Sequence, residues 1–449
     1  MEFSPWSFLV DAGLLGALLV FGTLLRAKIK AIQTMMIPAG VIAGIVGLIL
    51  GPNVLGWLPF SDQLGTYTSI LIAVVFACLA LTSDFDLSKI GKSVASFATY
   101  GVLMYSAQVS IGMALVLLVL GPVFGAPDYI GIMLFAGWAG GFGSAAAVGS
   151  AFADAGDPAV ASIGFTAATV GLLIGVVGGI AQAKFGAARG HAKEFAGVAE
   201  IPKELRTGVL DQVGKRDPIG LHLFSGGTIE SLTFQAGLVA AVSAAAYGIN
   251  LLLGQLIPSV TFPLFTFAFI VGIALRGILT FGRATRFIDK ESISSLSGTA
   301  TDILMVCGIA SVVPSLVAEQ WLALVVLFIV GLALSLFLGL WLAPRVLGEG
   351  WYERQLFTWG WSTGAVATGI ALLRIVDPKM NSRTLEDFSV AYLPVIPVEV
   401  TAVTFVPLLI IAGASWAVVG IWGAVTIMAL LACLFFVPTK KGTNALVTS

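Results

Sequence analysis

Two short stretches of the sequence combine glycine with small hydroxyl residues in otherwise apolar surroundings. The first runs from Trp138 to Pro158 and the second from Trp359 to Pro378. Glycine lacks a Cβ atom, so the backbone can open there and leave carbonyl and N–H groups unpaired. Such carbonyls and neighbouring hydroxyls are ligands for a small cation, whereas free N–H groups at a helix start bind anions. The two stretches therefore predict a site for ions or charged solutes.

The same two stretches share features that favour hairpins over straight helices. Each begins at a tryptophan, has glycine five residues later at Gly143 or Gly364, and ends at an Asp-Pro pair. Each is too short for two full spans but fits two half-length helices that meet at a tip. We expect re-entrant hairpins over residues 131–157 and 355–377, whose irregular backbone must line protein or a water-filled cavity. Glycine-rich packing helices are the alternative, which the agreement between the two stretches disfavours.

Candidate ligands follow from this hypothesis, and they cluster around the two tips. For a charged substrate, the expected contacts are Gly141, Gly143, Ser144, Thr169, Thr363, Gly364 and Arg374. For Na⁺, the expected ligands are Gly140, Thr166, Ser362, Glu399 and Thr401. A single serine or threonine in an apolar helix is more often a packing or back-bonded residue, so the clustering carries the hypothesis.

Charged side chains inside apolar segments indicate function more sharply. Arg374, on the returning arm of the second hairpin, is expected either to pair with a substrate carboxylate or to reach the inner surface. Glu399, near the middle of an apolar segment, is expected to bind Na⁺ or to neutralise Arg374. Asp302 is equally a functional group or a structural partner of a nearby arginine such as Arg276, and Asp11 is expected to be interfacial.

The composition is typical of a protein embedded in a lipid bilayer. Of 449 residues, 58% are hydrophobic and only 10% are charged, which is too few charges for a soluble surface. The net charge of −1 argues against nucleic acid as a partner. Cys78, Cys307 and Cys433 are isolated in apolar segments and the two histidines do not cluster, so no metal centre, haem site or redox motif is expected.

Apolar windows of about 20 residues predict eleven membrane spans. They cover roughly residues 7–25, 35–57, 65–83, 94–121, 159–183, 229–256, 262–280, 293–314, 320–343, 388–412 and 415–437. With the N-terminus outside, all 23 Lys and Arg residues fall on the inner side, as the positive-inside rule requires. We therefore expect a multi-pass inner (plasma) membrane protein with a cytoplasmic linker at 187–227 and a cytoplasmic C-terminus.

The two halves of the chain resemble each other at nearly one offset. The segment that begins at Pro38 aligns with one that begins at Pro263, and three further matches follow in order. Because five spans are an odd number, the second copy would enter the membrane from the opposite side. The expected fold is an all-α polytopic membrane protein with two inverted repeats of five transmembrane helices, at residues 1–186 and 228–412. Each repeat has a re-entrant hairpin, the first entering from outside and the second from inside. One extra C-terminal transmembrane helix lies in 413–449.

These motifs resemble those of the sodium/glutamate symporter family. The residues that carry the likeness are Gly140-Gly141-Phe142-Gly143, Ala168-Thr169-Val170-Gly171-Leu172, and Ser362-Thr363-Gly364-Ala365. The likeness covers about residues 8–412. It implies two five-span halves with opposed re-entrant loops, Na⁺-coupled uptake of glutamate, and a homodimer. It also implies that the glycines of the first motif form the first hairpin tip and Gly364 the second.

Three functions remain open on the sequence alone. The first is a Na⁺-coupled symporter, and not an enzyme, that imports glutamate or a similar acidic solute by alternating access. The second is a Na⁺-coupled di- or tricarboxylate transporter. The third is the membrane subunit of a sodium-pumping decarboxylase, which also uses opposed re-entrant segments and would depend on soluble partners. Hydroxyl-rich tips and spans without histidine favour Na⁺ over a proton as the coupling ion.

Overall fold

The computed structural model describes residues 4–35, 37–82, 91–192, 203–209, 218–221, 223–225, 227–256, 263–377 and 381–437. Every regular element within these ranges is a helix. Much of the predicted linker and nearly all of the C-terminal tail lie outside the described residues.

Nine helices precede the end of the predicted linker. They are α1 (Pro5–Lys28), α2 (Lys30–Thr34), α3 (Ala39–Leu50), α4 (Leu64–Thr82), α5 (Lys92–Leu115), α6 (Gly121–Phe124), α7 (Gly141–Asp154), α8 (Ala159–Ala188) and α9 (Lys203–Thr207). A π-turn joins α5 to α6, so that Lys92–Phe124 forms one helical unit of 33 residues.

The later part of the chain continues in the same way. Its helices are α10 (Ser231–Leu256), α11 (Leu264–Phe281), α12 (Lys290–Ala310), α13 (Pro314–Glu319), α14 (Trp321–Leu336), α15 (Ala343–Val346), α16 (Trp351–Thr363), α17 (Val366–Val376), α18 (Thr384–Ala391), α19 (Val395–Ile411) and α20 (Ser415–Phe435). A second π-turn joins α14 to α15 within the 26-residue unit Trp321–Val346.

Nine helices of the described chain are long and apolar enough to cross a membrane, against the eleven spans that the sequence predicts. Two predicted spans, 35–57 and 388–412, contain the shorter helices α3 and α19, with 12 and 17 residues. At 1.5 Å per residue these are about 18 and 26 Å long, against about 30 Å for the hydrocarbon core.

Local chemistry explains why these two helices are short. α3 ends before Gly51-Pro52, and the chain folds back so that the Leu58 N–H donates to the Leu50 carbonyl at 2.8 Å. α19 begins only after Pro394, and an intervening turn separates it from α18. Glu399 therefore lies in the second turn of α19 rather than in the middle of a span.

The long helices pack into two groups. Bundle one contains α1, α3, α4, α10, α11 and α12, in which α4 packs against both α11 and α12. Bundle two contains α5, α7, α8, α14 and α16–α20, in which α8 packs against α7, α16 and α17, and α5 packs against α20. The bundles meet where α4 and α12 pack against α7.

Packing in bundle one is reciprocal between the two halves of the chain. α1 packs on α3 as α10 packs on α11, and α3 packs on α12 as α11 packs on α4. Glycine permits close approach in both cases. A Cβ atom added at Gly44 of α3 would lie 2.7 Å from Ile309 Cβ of α12, and one at Gly272 of α11 would lie 2.6 Å from Ala80 Cβ of α4.

Two charged residues depart from their predicted surroundings. Asp11 is buried rather than interfacial, and its carboxylate accepts the Ser61 N–H at 3.0 Å, the Ser61 hydroxyl at 2.5 Å and the Tyr67 hydroxyl at 2.9 Å. Asp302 is exposed in mid-α12 and pairs with no cation among the described residues. The predicted pairing of Asp302 with Arg276 is therefore wrong.

Candidate functional site

Both predicted hairpin segments are helices interrupted at glycine. In the first, a π-turn (Phe135–Ala139) leads through Gly140 to α7, which starts at Gly141 with a left-handed φ of +62°. In the second, α16 ends at Thr363, and Gly364 has φ −154° and ψ −79° before α17 begins. Only glycine adopts the left-handed conformation without strain, so Gly141 permits the first break.

The two arms of each interrupted helix fold back against each other. In the first segment the rings of Tyr129 and Phe152, at opposite ends of the arms, lie 5.8 Å apart between centroids. In the second, a Cβ atom at Gly360 of α16 would lie 2.6 Å from the backbone nitrogen of Gly369 of α17. Each segment is therefore a helical hairpin with its break at the tip.

The two tips touch each other through backbone atoms. A Cβ atom at Gly141 would lie 2.8 Å from the carbonyl oxygen of Gly364, closer than real Cβ contacts allow. A Cβ atom at Gly143 would meet only Ile72 Cδ1, at 3.7 Å. The contact with Gly364 is therefore made at Gly141, whereas Gly143 has space for an added Cβ atom.

Helix α8 packs its glycines against both hairpins. A Cβ atom at Gly171 would lie 2.6 Å from both the Thr363 carbonyl oxygen and Trp138 Cδ1, so this residue contacts both tips. One turn later, the Gly175 carbonyl accepts the indole N–H of Trp359 at 2.9 Å. These contacts explain the glycines after Thr169, since a larger residue would separate α8 from the hairpins.

Gln108 of α5 joins the two tips, and sequence reasoning missed it. Its side chain is 1% exposed. Its Nε2 donates to the Ser362 carbonyl at 3.0 Å, and its Oε1 accepts the Ala139 N–H at 3.2 Å. One amide thus pairs backbone groups that the two breaks expose. A lone glutamine in an apolar helix was the only sequence signal.

Glu399 lies beside a cavity of about 340 Å³ next to the first tip. Its Oε1 accepts the Ser144 hydroxyl at 3.1 Å, and its Oε2 accepts the Tyr392 hydroxyl at 2.9 Å. Gly143 also lines the cavity, as do residues of α4 and α12. Hydrogen bonds from α7 and from the turn before α19 therefore position the Glu399 carboxylate, which also lines the cavity.

Comparison with known proteins identifies the family of this chain. The sequence model of the sodium/glutamate symporter family matches residues 9–380, well over half of the chain. The chain belongs to the sodium/glutamate symporter family. No curated protein and no solved structure matches it.

Membership in the sodium/glutamate symporter family supports a sodium-coupled glutamate transporter rather than an enzyme. The apolar helices agree with a multi-pass membrane protein. The family match does not favour the carboxylate transporter or the decarboxylase subunit that the sequence left open.

The hydroxyl groups that were predicted to bind substrate or Na⁺ lie in several different environments. Thr166, Thr169 and Thr363 donate to the carbonyls four residues earlier in their own helices. Ser362 Oγ is buried without a hydrogen-bond partner among the described residues. Thr401 is exposed on α19 and does not line the cavity.

The predicted cation ligand Gly140 lies directly before the first break. A Cβ atom there would overlap the side chain of Ser144. The structure therefore brings Gly140, Gly141 and Gly364 together at the tips, and places Ser144 with Glu399 at the adjoining cavity.

Two arginines, Arg354 and Arg374, lie on the two helices of the second interrupted segment. Arg354, at the start of α16, forms a 2.6 Å ion pair with Asp387 of α18. Arg374 lies ten residues past Gly364 and eight past Val366, so it is about 12 Å along α17 at 1.5 Å per residue. Its buried Nε has no hydrogen-bond partner, and no ion pair joins it to Glu399 in the described chain.

Proposed function

We propose that this protein imports glutamate together with Na⁺ by alternating access. The observation that carries the proposal is the contact between two interrupted helices at Gly141 and Gly364, beside a cavity that contains a carboxylate. Broken helices supply free carbonyls for a cation and free N–H groups for an anionic solute. On this proposal, glutamate and Na⁺ bind at the tips and in the adjoining cavity.

The two halves of the chain, on this proposal, are inverted repeats of five helices, and the hairpins enter from opposite sides. The reciprocal packing of α3 on α12 and α11 on α4 supports this organisation. A homodimer in the inner membrane, with the N-terminus outside, completes the proposal. The proposal includes the predicted boundaries of the two repeats, at residues 1–186 and 228–412.

The position of the cavity supports a conformation that is open on one side. Its lining includes Thr82, at the end of α4, and Ser294, near the start of α12. Lys92 and Lys290 begin the helices that flank this end. The positive-inside rule makes it the cytoplasmic end. We infer that this conformer releases solute to the cytoplasm.

Uptake into proteoliposomes tests the proposed function. An inward Na⁺ gradient should drive labelled glutamate uptake, which should stop when K⁺ replaces Na⁺ and persist when the proton gradient is collapsed. Equal uptake driven by a pH gradient alone would contradict Na⁺ coupling. A preference for citrate over glutamate would instead indicate a carboxylate transporter.

The membrane orientation can be tested at two matched glycines. Gly125 and Gly190 both have φ of +68°, are exposed, and have no atom within 4 Å of an added Cβ. Gly125→Cys should react with an impermeant thiol reagent only from outside, and Gly190→Cys only from inside. The natural cysteines are buried, so wild type serves as the unlabelled control. Labelling of both from one side would refute the orientation.

Arg374 remains a predicted substrate contact, and its unpaired buried Nε supports the prediction. A guanidinium binds a carboxylate through two parallel hydrogen bonds, which an ammonium cannot reproduce. Arg374→Lys should therefore weaken glutamate affinity by about tenfold, or about 1.4 kcal/mol. Arg383→Lys, on the exposed Arg383–Glu386 pair, is the control. Unchanged affinity in Arg374→Lys would place the carboxylate elsewhere.

A further inference from the structure

The Glu399 carboxylate is positioned by its neighbours but not saturated by them. Each oxygen accepts one hydroxyl, from Ser144 or from Tyr392. An ionised carboxylate has about four acceptor sites, so both oxygens retain the capacity to bind a ligand. Because Ser144 belongs to α7 and Tyr392 precedes α19, the carboxylate is held between the first hairpin and the helix after the second.

The cavity that this carboxyl group faces has an acidic side chain in its lining and, in the part of the chain that the structure describes, no cationic one. Among the described residues that line it, Glu399 is the one charged group; the polar remainder are hydroxyls, such as those of Ser297 and Thr82. The walls are otherwise largely apolar, with Phe76 and Ile396 as examples. A carboxylate in such surroundings is costly unless a positive group pairs with it.

The volume of the cavity indicates the size of its occupant. About 340 Å³ is near the lower end of the range for organic ligand pockets. It equals the liquid volume of roughly eleven water molecules at about 30 Å³ each. This exceeds what a bare metal ion needs and suits an amino acid, or an ion that keeps several waters.

We propose that Glu399 binds a compact monovalent cationic group in this cavity, either the ammonium group of the transported amino acid or the coupling Na⁺. The inference rests on the proposed function and states which side chain of its site pairs with the cationic group. Substrate carboxylates would then be bound away from Glu399. The start of α7, where Gly143 lines the cavity, presents N–H groups and a positive dipole end suited to them.

Ligand-induced thermal stabilisation of the purified full chain tests the proposal without requiring transport. A ligand at free concentration L that binds only the folded protein stabilises it by RT ln(1 + L/Kd), so the rise in melting temperature with ligand concentration gives the dissociation constant. The probes are sodium chloride against choline chloride, and then glutamate against glutarate at constant Na⁺. Glutarate has the two carboxylates of glutamate and lacks its ammonium group. The variant is Glu399→Gln, and the matched control is Asp302→Asn, another carboxylate of a membrane helix that does not line the cavity.

Two results support the proposal and distinguish its two sources. If Na⁺ is the occupant, Glu399→Gln should raise the dissociation constant for Na⁺ at least tenfold. If the ammonium group is the occupant, the dissociation constant for glutamate should rise at least tenfold while that for glutarate is unchanged. Asp302→Asn should match wild type in both series.

Other results overturn the proposal. They are full retention of both stabilisations in Glu399→Gln, or no stabilisation of wild type by any probe. If Glu399→Gln does not fold, Tyr392→Phe is tested instead, because it removes the hydroxyl that donates to Glu399 Oε2. Tyr392→Phe should raise the same dissociation constant. An unchanged dissociation constant refutes the inference. Failure of the proposed function is seen separately, as wild-type protein that takes up no glutamate on a Na⁺ gradient.

Discussion

Gly141→Ala is expected to reduce glutamate transport at least tenfold. The added Cβ would lie 2.8 Å from the Gly364 carbonyl oxygen, so the tips would have to separate. The left-handed φ of +62° adds about 1–2 kcal/mol of strain for an L-residue. Uptake per inserted protein in proteoliposomes measures the effect.

Gly143→Ala is the matched control for this variant. The same methyl group, two residues along the same tip, would meet only Ile72 Cδ1 at an ordinary distance of 3.7 Å. Its φ does not lie in the left-handed region. Transport should fall less than in Gly141→Ala, because the methyl group would face the cavity without separating the tips. If Gly141→Ala and Gly143→Ala behaved alike, contact between the tips would not be what transport requires.

Gln108→Leu is expected to reduce transport at least tenfold and to lower the melting temperature. Leucine has a similar volume but cannot pair with the Ser362 carbonyl or the Ala139 N–H, both of which Gln108 binds. Each buried group left without a partner costs roughly 1–3 kcal/mol. The hairpins would lose the one amide that bonds to both, so glutamate affinity should fall together with transport rate.

Two further variants isolate the role of the Gln108 amide. Gln33→Leu removes an amide that donates to the Ala27 carbonyl beside α1, far in sequence from both hairpins, and should leave transport within about twofold of wild type. Gln108→Asn keeps the amide but shortens its reach, so it should impair transport nearly as much as leucine. Normal transport by Gln108→Leu would show that ring contacts of α5 suffice, such as those of Tyr105 with Phe135 and Trp361.

The sequence predicted the helical architecture and the two interrupted segments because these depend on local composition. Long apolar windows form helices wherever glycine and proline do not intervene, and α3 and α19 fell short where Gly51-Pro52 and Pro394 intervene. The sequence placed the first tip among Gly140, Gly141 and Gly143. The left-handed φ of Gly141 and the facing Gly364 carbonyl identify Gly141 as the break.

Hydrogen bonds between residues far apart in the chain could not be predicted from the sequence. Nothing near Gln108 indicates that its two partners lie 31 and 254 positions away. The same holds for Glu399, whose partner Ser144 is 255 positions distant, although its neighbour Tyr392 was within reach of local reasoning. Burial of Asp11 likewise depends on Ser61, which the short helix α3 and its returning loop bring back to α1.

The glycine face of α8 has a consequence for how solute reaches the tips. At Gly171 and Gly175 the helix approaches Thr363 so closely that even one added carbon would lie 2.6 to 2.7 Å from its oxygens. No water molecule fits between surfaces at that separation. This flank of the tips is therefore dry, while the opposite flank, towards α4 and α12, holds the cavity. On the proposed function, a solute would therefore exchange its water shell for protein ligands along the face that bundle one covers.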